Sequence, residues 1–84
     1  MPKFRKKQVI IEAVQFNGND SECRAFCPIA TDHPYIKPSL IIPTLEGNHL
    51  CSLGDWIVKG VEGEFYPVKD SIFRKTYEPV ESDQ

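Results

Sequence analysis

The sequence predicts a mainly β, α+β fold: a twisted antiparallel sheet of about five strands with one short helix. Three observations carry that reading. Short runs rich in β-branched and aromatic residues recur along the chain, the runs Asp55–Lys59 and Glu64–Val68 are separated by a loop containing Gly60 and Gly63, and helical spacing of apolar residues is clear only around Cys23. The chain of 84 residues is long enough for one small core, so it reads as a single domain, 1–84, with a basic flank at 1–7 and a frayed acidic tail at 79–84.

The first strand is expected over Gln8–Phe16, where Ile10, Val14 and Phe16 alternate with Val9, Ile11 and Ala13. Apolar residues on both faces suggest an interior position. Glu12 interrupts this run and needs a rim position or a partner, such as Arg74 or a lysine. After the turn Asn17–Asp20, with Asn19 or Asp20 as cap, a helix over Ser21–Cys27 places Cys23, Phe26 and Cys27 on one face. Pro28 ends it. The stretch Ile29–Ser39, with Pro34 and Pro38, reads as a loop.

Leu40–Leu45 is the next strand, and Pro43 argues for an edge or a bulge, because proline donates no ladder hydrogen bond. Glu46–Asn48 turns the chain into a short strand at His49–Cys51, and Leu53–Asp55 makes a tight turn into the hairpin. Pairing Lys59 with Glu64 across a four-residue loop aligns Val58 with Phe65, Ile57 with Tyr66 and Trp56 with Pro67. Trp56, Val58, Phe65 and Pro67 are then the expected core face, with Ile57 and Tyr66 on the other. Asp70 caps one helical turn over Ser71–Phe73, and Arg74–Glu78 alternates as a closing strand adjacent to the first.

Composition narrows the function classes. Forty per cent apolar and 11% aromatic content suits a folded globule, and ten basic against twelve acidic residues, a net charge of −2, give no global attraction to nucleic acid or anionic membrane. No apolar run approaches the ~20 residues of a membrane span, and the basic start lacks a cleavage site for export. Three cysteines, an odd number, cannot form a closed disulfide set within one chain, so free thiols in a reducing bacterial cytoplasm are expected.

Several phrases stand together: Phe4–Phe16, Ile42–Gly47, Gly54–Gly60, Gly63–Pro67 and Phe73–Glu78. In that order the chain resembles a large group of small bacteriophage and prophage proteins, some marked by a proline-glycine-aspartate-aromatic turn, in which Leu53 here replaces the proline. The resemblance covers most of the chain outside about residues 19–39. It implies a phage or prophage origin and carries over no catalytic residue.

Each chemistry-bearing residue also has a plain structural role. Cys23 and Cys27 lie one helical turn apart, and His49 and Cys51 share a strand side, but this spacing lacks the knuckles of structural zinc sites. Neither a metal nor a cofactor is expected. Three thiols and two histidines occur without an activating motif, so no catalytic residue is assigned and an enzyme is not expected. The basic run Lys3, Arg5, Lys6, Lys7 fits a solvated strand flank better than a nucleic-acid site. Recognition is assigned instead to Tyr35, Ile57, Lys59, Glu64 and Tyr66, as a patch for a host or phage protein or for a second copy through a sheet edge. The expected function is that of a non-catalytic phage accessory protein that binds a host or phage macromolecule, with counter-defence as a purpose. The alternative is a nucleotide-sequestering protein with its site between protomers, where lysine and arginine take phosphate and tryptophan or tyrosine stacks.

Overall fold

The computed structural model describes residues 1–5 and 8–80. Lys6 and Lys7 of the basic flank, and residues 81–84 of the acidic tail, lie outside the described residues. Among the described residues the strands form two sheets of three, where the sequence suggested one sheet of about five. The first contains β1 (Glu12–Gln15), β5 (Trp56–Lys59) and β6 (Phe65–Val68) in the order β1-β5-β6; the second contains β2 (Thr31–Asp32), β3 (Ser39–Thr44) and β4 (Gly47–Ser52) in the order β2-β3-β4. All pairings are antiparallel. Two short helices, α1 (Asp20–Phe26) and α2 (Asp70–Thr76), complete the fold, where one was expected.

The sheets separate at the turn after β4. The Asp55 amide donates to the Ser52 carbonyl at 2.9 Å, and Gly54 sits at φ +91°, the left-handed position of a type II turn. Phe16, at the end of β1, clamps this turn: its amide donates to the Asp55 carbonyl at 2.8 Å, and its carbonyl accepts from the Gly54 amide at 2.8 Å. The chain is thereby carried out of the second sheet and into register with β1. Phe16 is buried with Cys23, Cys27, Ala30, Leu40, Ile42, Cys51 and Ile57 in one core, against which Val14, Phe26 and Phe65 pack. This apolar cluster joins side chains from α1 and both sheets.

Helix α1 follows the expected pattern closely. Cys23 and Cys27 are buried, and Phe26 meets Phe65 edge-on with ring centroids 5.7 Å apart. Asn19 is the N-cap residue, but its Oδ1 accepts from the Asn17 amide at 2.8 Å instead of closing the helix. Arg24 pairs with Asp32 at 2.6 Å, tying α1 to β2.

The hairpin exists as expected, but its register is shifted by one residue. Lys59 pairs with Phe65, Val58 with Tyr66, Ile57 with Pro67 and Trp56 with Val68. The loop explains the shift. The Gly63 amide donates to the Gly60 carbonyl at 3.0 Å, the Gly60 amide to the Glu64 carbonyl at 2.7 Å, and Gly63 adopts φ +84°, which together make a three-residue loop with a glycine bulge. Ile57, Phe65 and Pro67 consequently share the face toward the main core, while Trp56, Val58 and Tyr66 share the opposite face. Among the described residues Lys59 forms no ion pair with Glu64; its ammonium lies 6.0 Å from the centroid of the Phe65 ring.

Two further expectations are corrected. Of the first long run only Glu12–Gln15 forms the ladder with β5, extended by the Phe16 hydrogen bonds to the turn, and β1 is an edge strand, not an interior one. The residues assigned to a closing strand belong largely to α2, because Asp70 and Arg74 form an i,i+4 pair and Phe73 and Tyr77 fall on one helical side above Trp56. Strand β1 therefore neighbours β5. Pro43 lies in the central strand of its sheet, yet β2 reaches only Leu40 and Ile41, so the side of Pro43 away from β4 is open.

The type II turn makes a specific demand on residues 53 and 54. Replacing the 53% exposed Leu53 by proline fits the first central position and is expected to stabilise the fold by about 0.4–1 kcal/mol, through a more restricted unfolded chain. Gly54→Ala should destabilise by a similar or larger amount, because a Cβ is strained at φ +91°. Urea denaturation of the two variants measures both; a destabilised Leu53→Pro protein would contradict the turn assignment.

Candidate functional site

Two grooves flank the first sheet. One, of about 660 Å³, runs between the extended segment 9–13 and the chain leaving α2, with Trp56 and Phe73 in its lining. The other, of about 810 Å³, opens where the two hairpin ends meet.

Two residues that line the first groove, Trp56 and Arg74, are held by Asp70 beneath it. Asp70 is the first residue of α2, after the N-cap Lys69, and its carboxylate is held by side chains from three elements. The Trp56 indole donates to Oδ1 at 2.8 Å, the Gln15 amide to the same oxygen at 3.3 Å, and Arg74 Nε to both oxygens at 2.9 and 3.1 Å. The indole hydrogen bond and then Arg74 hold the Asp70 carboxyl below the usual carboxylate range. Above it the Trp56 and Phe73 rings stack with centroids 4.1 Å apart and 6° between planes. Gln15 also donates to the Gly54 carbonyl at 3.0 Å, so the network reaches back to the turn that separates the sheets. Arg74, the cation of this groove, is therefore already engaged.

The second groove draws on three separate stretches: Ile29 after α1, Pro43–Glu46 with His49 from the β3–β4 hairpin, and Gly63–Pro67 from the β5–β6 hairpin. Its lining is mostly apolar. Leu45 stands fully exposed at the hairpin tip and Ile29 is half exposed, while Phe65 connects the groove to the core. The polar groups are largely committed to local turns: Thr44 Oγ1 donates to the Gly47 carbonyl at 2.8 Å and accepts from the Glu46 amide at 3.1 Å, and Glu64 accepts from the Glu62 amide at 3.0 Å. Glu46 and Glu64 give the groove two acidic positions.

The residues assigned from sequence do not form one patch. Glu64 and Tyr66 line the second groove, and Lys59 lies beside it over Phe65. Ile57 is fully buried in the core and is excluded from any exposed patch, a direct consequence of the shifted register. Tyr66 is half-buried on the opposite sheet face, where burial and the neighbouring Tyr77 hydroxyl push its phenol up to about 12. Tyr35 is exposed but lines neither groove. It belongs to a turn organised by His33, whose Nδ1 accepts from the Tyr35 and Ile36 amides at 3.0 and 2.9 Å. Ile29, Pro43 and Leu45, which sequence reading had placed only in a loop and a strand, are what make the second groove.

The thiols face inward. Burial pushes Cys51 up to about 12 and raises Cys23 and Cys27, so all three remain protonated at neutral pH. His49 is exposed at the edge of the same sheet side as Cys51, and among the described residues no group of three or more histidine, cysteine or carboxylate side chains is arranged to hold a metal ion. No helix among the described residues is long and apolar enough to cross a membrane. No protein-family model matches the chain, and no similar curated protein or solved structure was found.

The Asp70 network has a definite acid dependence. A carboxyl depressed by native hydrogen bonds contributes stability above its unfolded pKa and loses it as pH falls through the lower folded pKa. Asp70→Asn should therefore lower stability at neutral pH and show a shallower decline toward acid than wild type. The amides of α2 should also exchange faster, because Trp56 and Arg74 lose their shared anion. Thermal melts across pH and amide exchange measure this; parallel acid profiles for the two proteins would contradict it.

Proposed function

We propose that the protein is a non-catalytic binding protein of phage or prophage origin, and that it holds a host or phage protein through the second groove. The observation that carries this reading is the groove itself: about 810 Å³, mostly apolar, with Leu45 and Ile29 exposed on it and Glu46 and Glu64 beside them. An exposed apolar concavity next to acidic side chains suits a segment that presents a large apolar residue next to lysine or arginine. The phage resemblance of the sequence phrases supports the origin, and counter-defence in the host cytoplasm is the purpose this reading assigns. The turn-bound polar groups of this groove, and thiols that lie buried outside it, favour recognition over chemistry. The nucleotide-sequestering alternative has less support, since Arg74 of the first groove is held by Asp70 and the second groove contributes carboxylates instead of lysine or arginine.

Leu45→Glu tests the reading without disturbing the core, because this side chain is fully exposed. A partner captured by wild-type protein from infected or lysogenic cells should bind the variant roughly 30-fold more weakly, the loss of about 2 kcal/mol expected at a hot spot. Tyr35→Ala should bind it normally. Equal binding by Leu45→Glu, or a nucleotide-dependent rise in melting temperature of wild type, would contradict the proposal.

A further inference from the structure

The strongest β-forming run of the chain is only half used. Of Gln8–Phe16, β1 pairs Glu12–Gln15 with β5, while residues 8–11 precede the ladder and receive no backbone hydrogen bond from any described residue. Val9 is 50% exposed and Ile10 is 75% exposed, so this is an apolar strand extension lying open to water. On its other side β1 pairs with no strand among the described residues; α1 reaches it only at the far end, where the Cys23 thiol lies 3.9 Å from the Gln15 carbonyl. An open, apolar edge is a template for another strand.

The sequence of this edge identifies the strand that fits it. Gln8-Val9-Ile10-Ile11-Glu12 is palindromic in character, with a polar residue at each end and three β-branched residues between. We propose that this edge pairs with the same edge of a second copy, antiparallel and about a two-fold axis at Ile10. Ile10 then opposes Ile10 of the other copy, Val9 opposes Ile11 twice, and Gln8 opposes Glu12 twice. Each apolar side chain meets an apolar one, and the Gln8 amide donates to the Glu12 carboxylate. Residues at even positions meet even positions and odd meet odd, so each face of one sheet continues as the same face of the other, as period-two alternation requires.

Glu12 already sits opposite Lys59 of its own β5, so pairing extends a polar row across the joint from Lys59 through Glu12 to the other copy's Gln8. The two three-stranded sheets become one of six, and the two-fold axis consumes both open edges, which closes the assembly as a dimer instead of a fibre. Val9, Ile10 and Ile11 also line the first groove, with Pro79 and Val80 across from them, so the second copy adds to that groove's wall. This inference is independent of the partner-binding role of the second groove.

The test is sedimentation or native mass spectrometry of the untagged full chain, with two substitutions at the axis. Wild type should be dimeric. Ile10→Lys places two like charges directly opposite and should give a monomer with an unchanged circular dichroism spectrum, since Ile10 is exposed. Ile10→Cys should cross-link to itself under mild oxidation far faster than Val61→Cys, a control in the exposed hairpin loop. A monomeric wild type, a dimer that survives Ile10→Lys, or equal cross-linking at positions 10 and 61 would overturn the proposal.

Discussion

The structure depends on the two hydrogen bonds between Phe16 and the turn at Gly54 and Asp55. A chain of this size has few ways to bring two separate sheets around one core. Here the end of β1 grips the point at which the chain leaves one sheet for the other. The backbone pairing of Phe16 fixes the register of β1 on β5, and its buried ring occupies the space where α1 and both sheets converge. The left-handed glycine at position 54 permits this close turn, and Asp55 adds a side-chain hydrogen bond to the Ser52 amide at 2.9 Å. Phe16, Gly54 and Asp55 line neither of the two grooves. One leans on α2 through Asp70 and Trp56, and the other opens between the tips of the two hairpins.

Local signals in the sequence carried as far as local physics reaches. The position of α1, the inward face of Cys23, Phe26 and Cys27, and the presence of a hairpin between Trp56 and Val68 all follow from spacing and turn chemistry. The register did not, because it depends on whether Gly60-Val61-Glu62-Gly63 closes as four loop residues or as three with a bulge. The φ of Gly63 decides that choice, and it moves Ile57 from an exposed face to the core. Helix α2 was partly hidden for a different reason. The alternation over Arg74–Glu78 mimics a strand, whereas the helix is held by contacts with Trp56 and Gln15 that sequence separation conceals.

The candidate site was less legible than the fold. Its groove is assembled from Ile29, the β3–β4 tip and the β5–β6 hairpin, and no single stretch announces it. Glu64 and Tyr66 were found because they lie in the hairpin already singled out. Leu45 gave one available signal, a large apolar residue at the tip of a tight turn where polar residues are usual. The unequal use of Gln8–Phe16 was equally invisible, since a strand's propensity does not reveal whether its partner lies in the same chain.

Amide hydrogen exchange at Phe16 and Gly54 tests this account most directly. If their mutual clamp holds the two sheets together, both amides should exchange only through global unfolding, as slowly as those at the centre of the β3–β4 ladder. Rapid exchange at Phe16 and Gly54 while β3 and β4 remain protected would mean that the sheets open independently. The junction would then not be what organises the fold.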